Sequence, residues 1–152
     1  MARTETAALN DDVAAAMATL QLRGVFLGGA SIDVSRDVSP SREEKEINVR
    51  LEHQVRLDEA DNVLRAITSF KVEGHRLRTK KPFVRVKGTF DVLFERPSIA
   101  FTEDAAAEVA KVATMVVWPY VRELVASLAM RAGVAVPLPP LMKVSELQAQ
   151  EE

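Results

Sequence analysis

Between Glu46 and Glu95 the chain alternates apolar and polar residues in three successive runs separated by turns. In the first, Ile47, Val49, Leu51, Val55 and Leu57 oppose Glu46, Asn48, Arg50, Glu52, Gln54 and Arg56. In the second, Leu64, Ala66, Thr68, Phe70 and Val72 oppose Arg65, Ser69, Lys71 and Glu73; in the third, Val84, Val86, Phe90, Val92 and Phe94 oppose Arg85, Lys87, Thr89, Asp91 and Glu95. A period of two sends successive side chains to opposite faces, so each run is a half-buried strand. The polar turn over 58–62 makes a hairpin of the first two, and the basic stretch from Gly74 to Pro82 leads into the third, completing an antiparallel meander. A sheet with one apolar face needs a helix, a second sheet or another subunit to cover it.

The flanks supply the other elements. Leu22 to Val34 reads as a further strand, which Gly24, Gly28 and Gly29 are expected to break in two. Before it, a short alanine-rich helix is expected between Thr6 and Arg23, capped by Asn10 or Asp11. Ser39, Pro40 and Ser41 form a turn, and the charge run from Arg42 to Glu46 reads as a solvated loop. After Pro97 the period lengthens. Val109, Val112, Val116 or Val117, Val121, Leu124, Val125 and Leu128 follow helical steps, with Thr102 as cap, Glu103 and Asp104 in the first turn, and Gly133 as the stop. Pro119 in the middle predicts a kink or break, since it removes one backbone hydrogen bond and costs about 3 kcal/mol in a straight helix. The proline-rich stretch 134–140 must run extended, ahead of a short amphipathic segment over 142–148.

Composition narrows the partners. The chain has 152 residues, 47% of them hydrophobic and 28% charged, enough for one domain with a core. A net charge of -2 gives no field that would gather nucleic acid. The absence of cysteine removes disulfides, thiol nucleophiles and zinc-thiolate sites, which fits a cytoplasmic setting. The start of the chain lacks the basic-then-apolar order of a signal peptide, and no stretch was expected to reach the roughly 18 apolar residues of a membrane span. Neither cofactor nor metal is called for: His53 and His75 lack catalytic or ligand spacing, and Gly28-Gly29 lacks the Gly-Lys-Ser/Thr of a phosphate loop.

One stretch carries more. Trp118-Pro119-Tyr120-Val121-Arg122-Glu123 is followed by Leu128, Arg131-Ala132-Gly133 and Leu138-Pro139-Pro140-Leu141. This run resembles the SecB chaperone family, whose long helix carries an aromatic-Pro-Tyr-x-Arg-Glu motif before an Arg-Gly-type end and a leucine- and proline-containing crossover. By order of elements the likeness extends from Leu22 to Leu147. The resemblance implies an α+β fold, a four-stranded antiparallel sheet with a long kinked helix and a short C-terminal helix packed on one side. Residues 1–21 would form an N-terminal helical extension and 22–152 the SecB-like domain.

The implied activity is that of an ATP-independent holdase, not an enzyme, which binds unfolded or pre-export polypeptides and assembles as a dimer of dimers. The implied groove residues are Phe83, Phe101, Trp118, Tyr120, Leu138, Leu141 and Met142, with Pro119, Tyr120, Arg122 and Glu123 as the family motif. Export members of the family are strongly acidic and meet the SecA motor through negative sheet side chains. The near-neutral charge here argues against SecA, and Met142-Lys143-Val144-Ser145 stands where the family has Asn-Phe-Asp, which bears on the final helix. Relatives that protect the antitoxin of a toxin–antitoxin system diverge in these ways, so an antitoxin is the alternative client.

The same residues have plainer readings. Trp118 and Tyr120 also suit a core or a subunit interface. Arg122 and Glu123 are adjacent, face apart on a helix, and are expected to pair with other elements. His75, Arg76, Arg78, Lys80 and Lys81 suit a solvated hairpin tip as well as an acidic partner.

Overall fold

The computed structural model describes residues 13, 15, 17–35, 45–77, 81–98, 101–137 and 139. Four antiparallel strands, β1 (Leu22–Val34), β2 (Lys45–Asp58), β3 (Val63–Arg76) and β4 (Pro82–Glu95), precede one long helix, α1 (Glu103–Arg131). The sheet order is β1-β4-β3-β2. The meander expected from the alternating runs holds for β2, β3 and β4, whereas β1 lies at the far edge from its chain neighbour β2. The β2–β3 ladder runs without a shift from Lys45 opposite Arg76 to Asp58 opposite Val63. Asn62 takes the left-handed conformation (φ 52°) that the tight turn demands and that asparagine tolerates.

Two expectations are corrected along the chain. β1 is one strand, not two: its glycines appear as register shifts between Leu22 and Gly24 and between Leu27 and Gly29, which bend the strand without ending it. The charged run does not stay a loop to its end, since Lys45 and Glu46 open β2; residues 42–44, like the final segment 142–148, lie outside the described residues. Near the N-terminus Val13, Ala15, Met17 and Ala18 are helical, but the helix gives way to a turn at Thr19, short of the expected Arg23.

The alternation sorts the sheet into two faces. Leu64, Ala66, Thr68, Phe70 and Val72 of β3 and Val84, Val86, Phe90, Val92 and Phe94 of β4 are buried on one. Onto it packs the α1 stripe Val109, Ala113, Val117, Trp118, Val121 and Val125. The helix lies chiefly over β2 and β3 and touches β1 least. Fully burying an aliphatic side chain of this size contributes about 1.5–3 kcal/mol, so this interface holds most of the folding energy. Gly88 sits on the same face where the Phe70 ring crosses β4; a Cβ there would stand 2.6 Å from that ring and 2.8 Å from the Gly29 carbonyl oxygen.

Both ends of α1 are closed by the residues the sequence marks. The Thr102 hydroxyl accepts from the Ala105 N–H at 3.2 Å. At the other end Gly133 (φ 68°) donates to Met130 O at 3.1 Å and Val134 donates to Ala129 O at 2.9 Å, the paired bonds of a Schellman turn. Of the kink or break expected at Pro119, a break does not occur: α1 runs through it. Pro119 and Met115, whose carbonyl loses its partner, are both exposed, so water can take up the freed acceptor. Contrary to the sequence expectation, one window of α1 is long and apolar enough for a membrane span, with mean hydropathy 1.3. The stripe that packs on the sheet accounts for much of that apolarity.

Candidate functional site: a groove between β1 and α1

Because α1 lies toward β2 and β3, the apolar face of β1 is left partly open. Leu22, Val25, Leu27, Ile32 and Val34 share that face, being opposite Phe94, Val92, Phe90, Val86 and Val84 of β4. Val25, Leu27, Phe90, Tyr120 and Leu124 line a groove of about 290 Å³ between β1 and the helix, with Glu123 and Ser127 at its side. Leu27 is 50% exposed and Tyr120 48%. An aromatic series leads outward to it: Phe70 stacks on Phe90 with centroids 5.7 Å apart, and Phe90 lies 6.1 Å from Tyr120. The groove is therefore floored by stacked core aromatics and rimmed by half-exposed aliphatics on an edge strand.

The family-motif residues divide by position. Tyr120 faces the groove and Glu123 edges it. Pro119 is on the exposed helix surface, and Arg122 donates through Nε to the Pro139 carbonyl at 2.8 Å, tying the chain beyond α1 back to the helix. Trp118 and Phe83 belong to the buried core. The Phe83 ring lies below the Lys45 ammonium at 5.2 Å, and Lys45 donates to the Ala135 carbonyl at 3.1 Å, so this ring supports the path of the post-helix segment. Phe101, 38% exposed, precedes α1. Leu138, Leu141 and Met142 lie outside the described residues. Sequence reasoning missed Val25, Leu27 and Leu124 as groove residues. The first two are hidden because the bulges break the period of two in β1, and Leu124 reads as an ordinary member of the buried stripe.

His53 is neither exposed nor free. Its Nδ1 lies 3.0 Å from Thr68 Oγ1 and its Nε2 2.7 Å from Thr114 Oγ1, and Thr114 donates to the Ala110 carbonyl at 3.0 Å. Since the Thr114 hydroxyl proton is committed to Ala110, Nε2–H donates to Thr114, and in the neutral ring Nδ1 accepts from Thr68. Burial lowers its pKa below the ordinary 6.5, consistent with that assignment. This polar pin joins β2, β3 and α1 inside the apolar layer.

No protein-family model matches the chain, and no curated protein sequence does. Among solved structures, the SecB-like chaperone Rv1957 of Mycobacterium tuberculosis, in complex with a ChAD peptide from the HigA1 antitoxin Rv1956, superposes with TM-score 0.73 and 20% identity. The match covers 87% of this chain and 97% of that one. A protein of unknown function from Streptococcus agalactiae overlaps at TM-score 0.40 and 15% identity, over 82% of this chain and 97% of the other. The fold is thus SecB-like, as the Trp118–Leu141 run implied, with one long helix on the sheet among the described residues where two had been expected.

Proposed function

We propose that the protein is a chaperone that holds non-native polypeptide without ATP, cofactor or catalysis, in a reducing compartment such as the cytoplasm. The observation that carries this reading is the open apolar groove beside Tyr120 and Leu27. Apolar contact scales with area at about 25 cal/mol/Å² and has little direction, so such a groove accepts many sequences. Phe101, Leu138, Leu141 and Met142 would extend it along the chain that enters and leaves α1, and Trp118 and Phe83 would stiffen it from behind.

Assembly belongs to the same reading. Among the described residues β1 has a free edge, with β4 on its other side, and Phe26, Met115 and Met130 are large apolar residues left exposed. A dimer of dimers would cover them and present several grooves to one client, raising avidity through effective concentration. A second reading, a chaperone dedicated to one antitoxin, is favoured by the antitoxin peptide in the Mycobacterium tuberculosis complex and by the near-neutral charge, which argues against SecA.

The test is suppression of aggregation of an unrelated, chemically unfolded protein without ATP, with the mass of the chaperone measured by light scattering in the same sample. Suppression by an oligomer, weakened in Tyr120→Ser, is the expected result. An intact oligomer without suppression would favour the dedicated client, and a monodisperse monomer without suppression would overturn both.

A further inference from the structure

The face of the sheet turned away from α1 carries a second feature, independent of the groove. Cross-strand register places Arg50 of β2 opposite Lys71 of β3, and Lys71 opposite Lys87 of β4. Three cations therefore stand in one row on adjacent strands, spaced by roughly 4.8 Å per strand. Like charges directly opposite one another destabilise a sheet, so the row has a cost that its neighbours only partly offset. Lys71 is engaged by Glu73 at 2.8 Å, and among the described residues Arg50 has only a 3.9 Å ion-pair contact, with the exposed Glu52. Lys87 is exposed and has no ion pair among the described residues.

Beside this row the sheet is hollowed. The next row is Glu52, Ser69, Thr89 and Gly29, short side chains except at its outer end, and the bulge at Gly28 bends β1 around it. The result is an open concavity of about 740 Å³, with the cations along one side and the hydroxyls of Ser31, Ser69 and Thr89 available as donors or acceptors.

We propose that this hollow docks an acidic polypeptide segment, with two or three carboxylates set against Arg50, Lys71 and Lys87. Charge complementarity selects the occupant. The cation row is bordered by Glu52 on one side and, on the other, by Glu73, Arg85 and Asp33, where Arg85 pairs with Glu73 at 2.6 Å and the Asp33 carboxylate lies at the outer end. A nucleic-acid backbone, uniformly negative along its length, would meet those carboxylates; a peptide can align its acids with the row and place neutral residues over the flanks. The site is separate from the groove, which opens on the opposite face.

The experiment uses the full chain and a dye-labelled peptide in which aspartate and glutamate alternate with serine and glycine, followed by fluorescence anisotropy. A peptide with lysine in the acidic positions and a single-stranded DNA oligonucleotide form the comparison arms. The acidic peptide is expected to bind at low salt and to be released as salt rises, with Lys87→Glu weakening it by roughly tenfold or more, the scale of one charge-assisted contact. Lys87→Ser should give a smaller loss, and Tyr120→Ser none, which separates this site from the client groove. Circular dichroism establishes that each variant is folded. Absence of binding, binding indifferent to Lys87→Glu and Arg50→Glu in folded protein, or tighter binding of the DNA would each overturn the proposal.

Discussion

β3 and β1 belong to one sheet and have nearly equal lengths, 14 and 13 residues, yet they treat apolar side chains in opposite ways. β3 lies between β2 and β4 beneath α1, with Leu64, Ala66, Thr68, Phe70 and Val72 all buried. β1 has one neighbour among the described residues, two register shifts and little helix above it, and Leu22 and Leu27 on its apolar face remain about half exposed. The contrast teaches that the period of two sets which face a residue takes, while position in the sheet and the offset of the helix set whether that face is dry. Stability is concentrated in the central strands, and apolar surface is kept available at the edge.

The largest expected effect breaks this division at its centre. Leu64→Ala should lower unfolding free energy by about 2–5 kcal/mol, because a fully buried side chain leaves a cavity. Leu27→Ala should change it by about 0.5 kcal/mol or less while weakening client binding. Urea denaturation together with the aggregation assay checks both; equal destabilisation would erase the distinction between the strands.

A smaller effect concerns the pin between β2, β3 and α1. His53 is held neutral with its pKa below 6.5, so on acidification the unfolded chain takes up a proton before the folded one. Its contribution is complete above the unfolded pKa and is lost as pH falls below about 6.5. In His53→Leu this loss should disappear, and neutral-pH stability should fall by about 1–2 kcal/mol because the Thr68 hydroxyl loses its acceptor. Urea midpoints measured across mildly acidic pH provide the check.

The smallest effect lies on the open face. Glu73 receives Lys71 at 2.8 Å and Arg85 Nε at 2.6 Å, with His75 Nε2 at 3.6 Å. The hydrogen bond from Lys71, then that from Arg85, and the two positive charges hold its carboxyl at a pKa of about 2 against an ordinary 4.5, although partial burial opposes the shift. Its stabilisation is present above pH 4.5 and fades as pH falls toward 2. Glu73→Gln should cost about 1 kcal/mol at neutral pH, less in high salt, and flatten the acid limb; thermal melts at several pH values measure it.

How much of this was legible in the sequence follows from which forces are local. The alternating strands of 46–95, the Thr102 cap and the Gly133 stop were readable because each depends on neighbours a few residues away. The place of β1 beside β4 was not, since pairing between Leu22–Val34 and Pro82–Glu95 is decided by sheet closure over long separations. Pro119 marked a kink or a break without deciding between them, because whether its lost hydrogen bond can face water is a circumstance the sequence does not display. Of the groove, Tyr120 was readable through the Trp118–Glu123 motif, while Leu27 and Val25 were masked by the bulges. The cation row needed the register: Arg50, Lys71 and Lys87 are far apart in sequence and meet only across the ladder.

Two polar attachments of the chain beyond α1, Arg122 to the Pro139 carbonyl and Lys45 to the Ala135 carbonyl, both grip main-chain oxygen. Any residue supplies such an oxygen. The course of this segment is thereby set by main-chain oxygen together with the buried side chains of Val134 and Pro139, so its exposed positions, Ala135 and Pro137, can be redesigned at the bench while the scaffold that carries them stays the same.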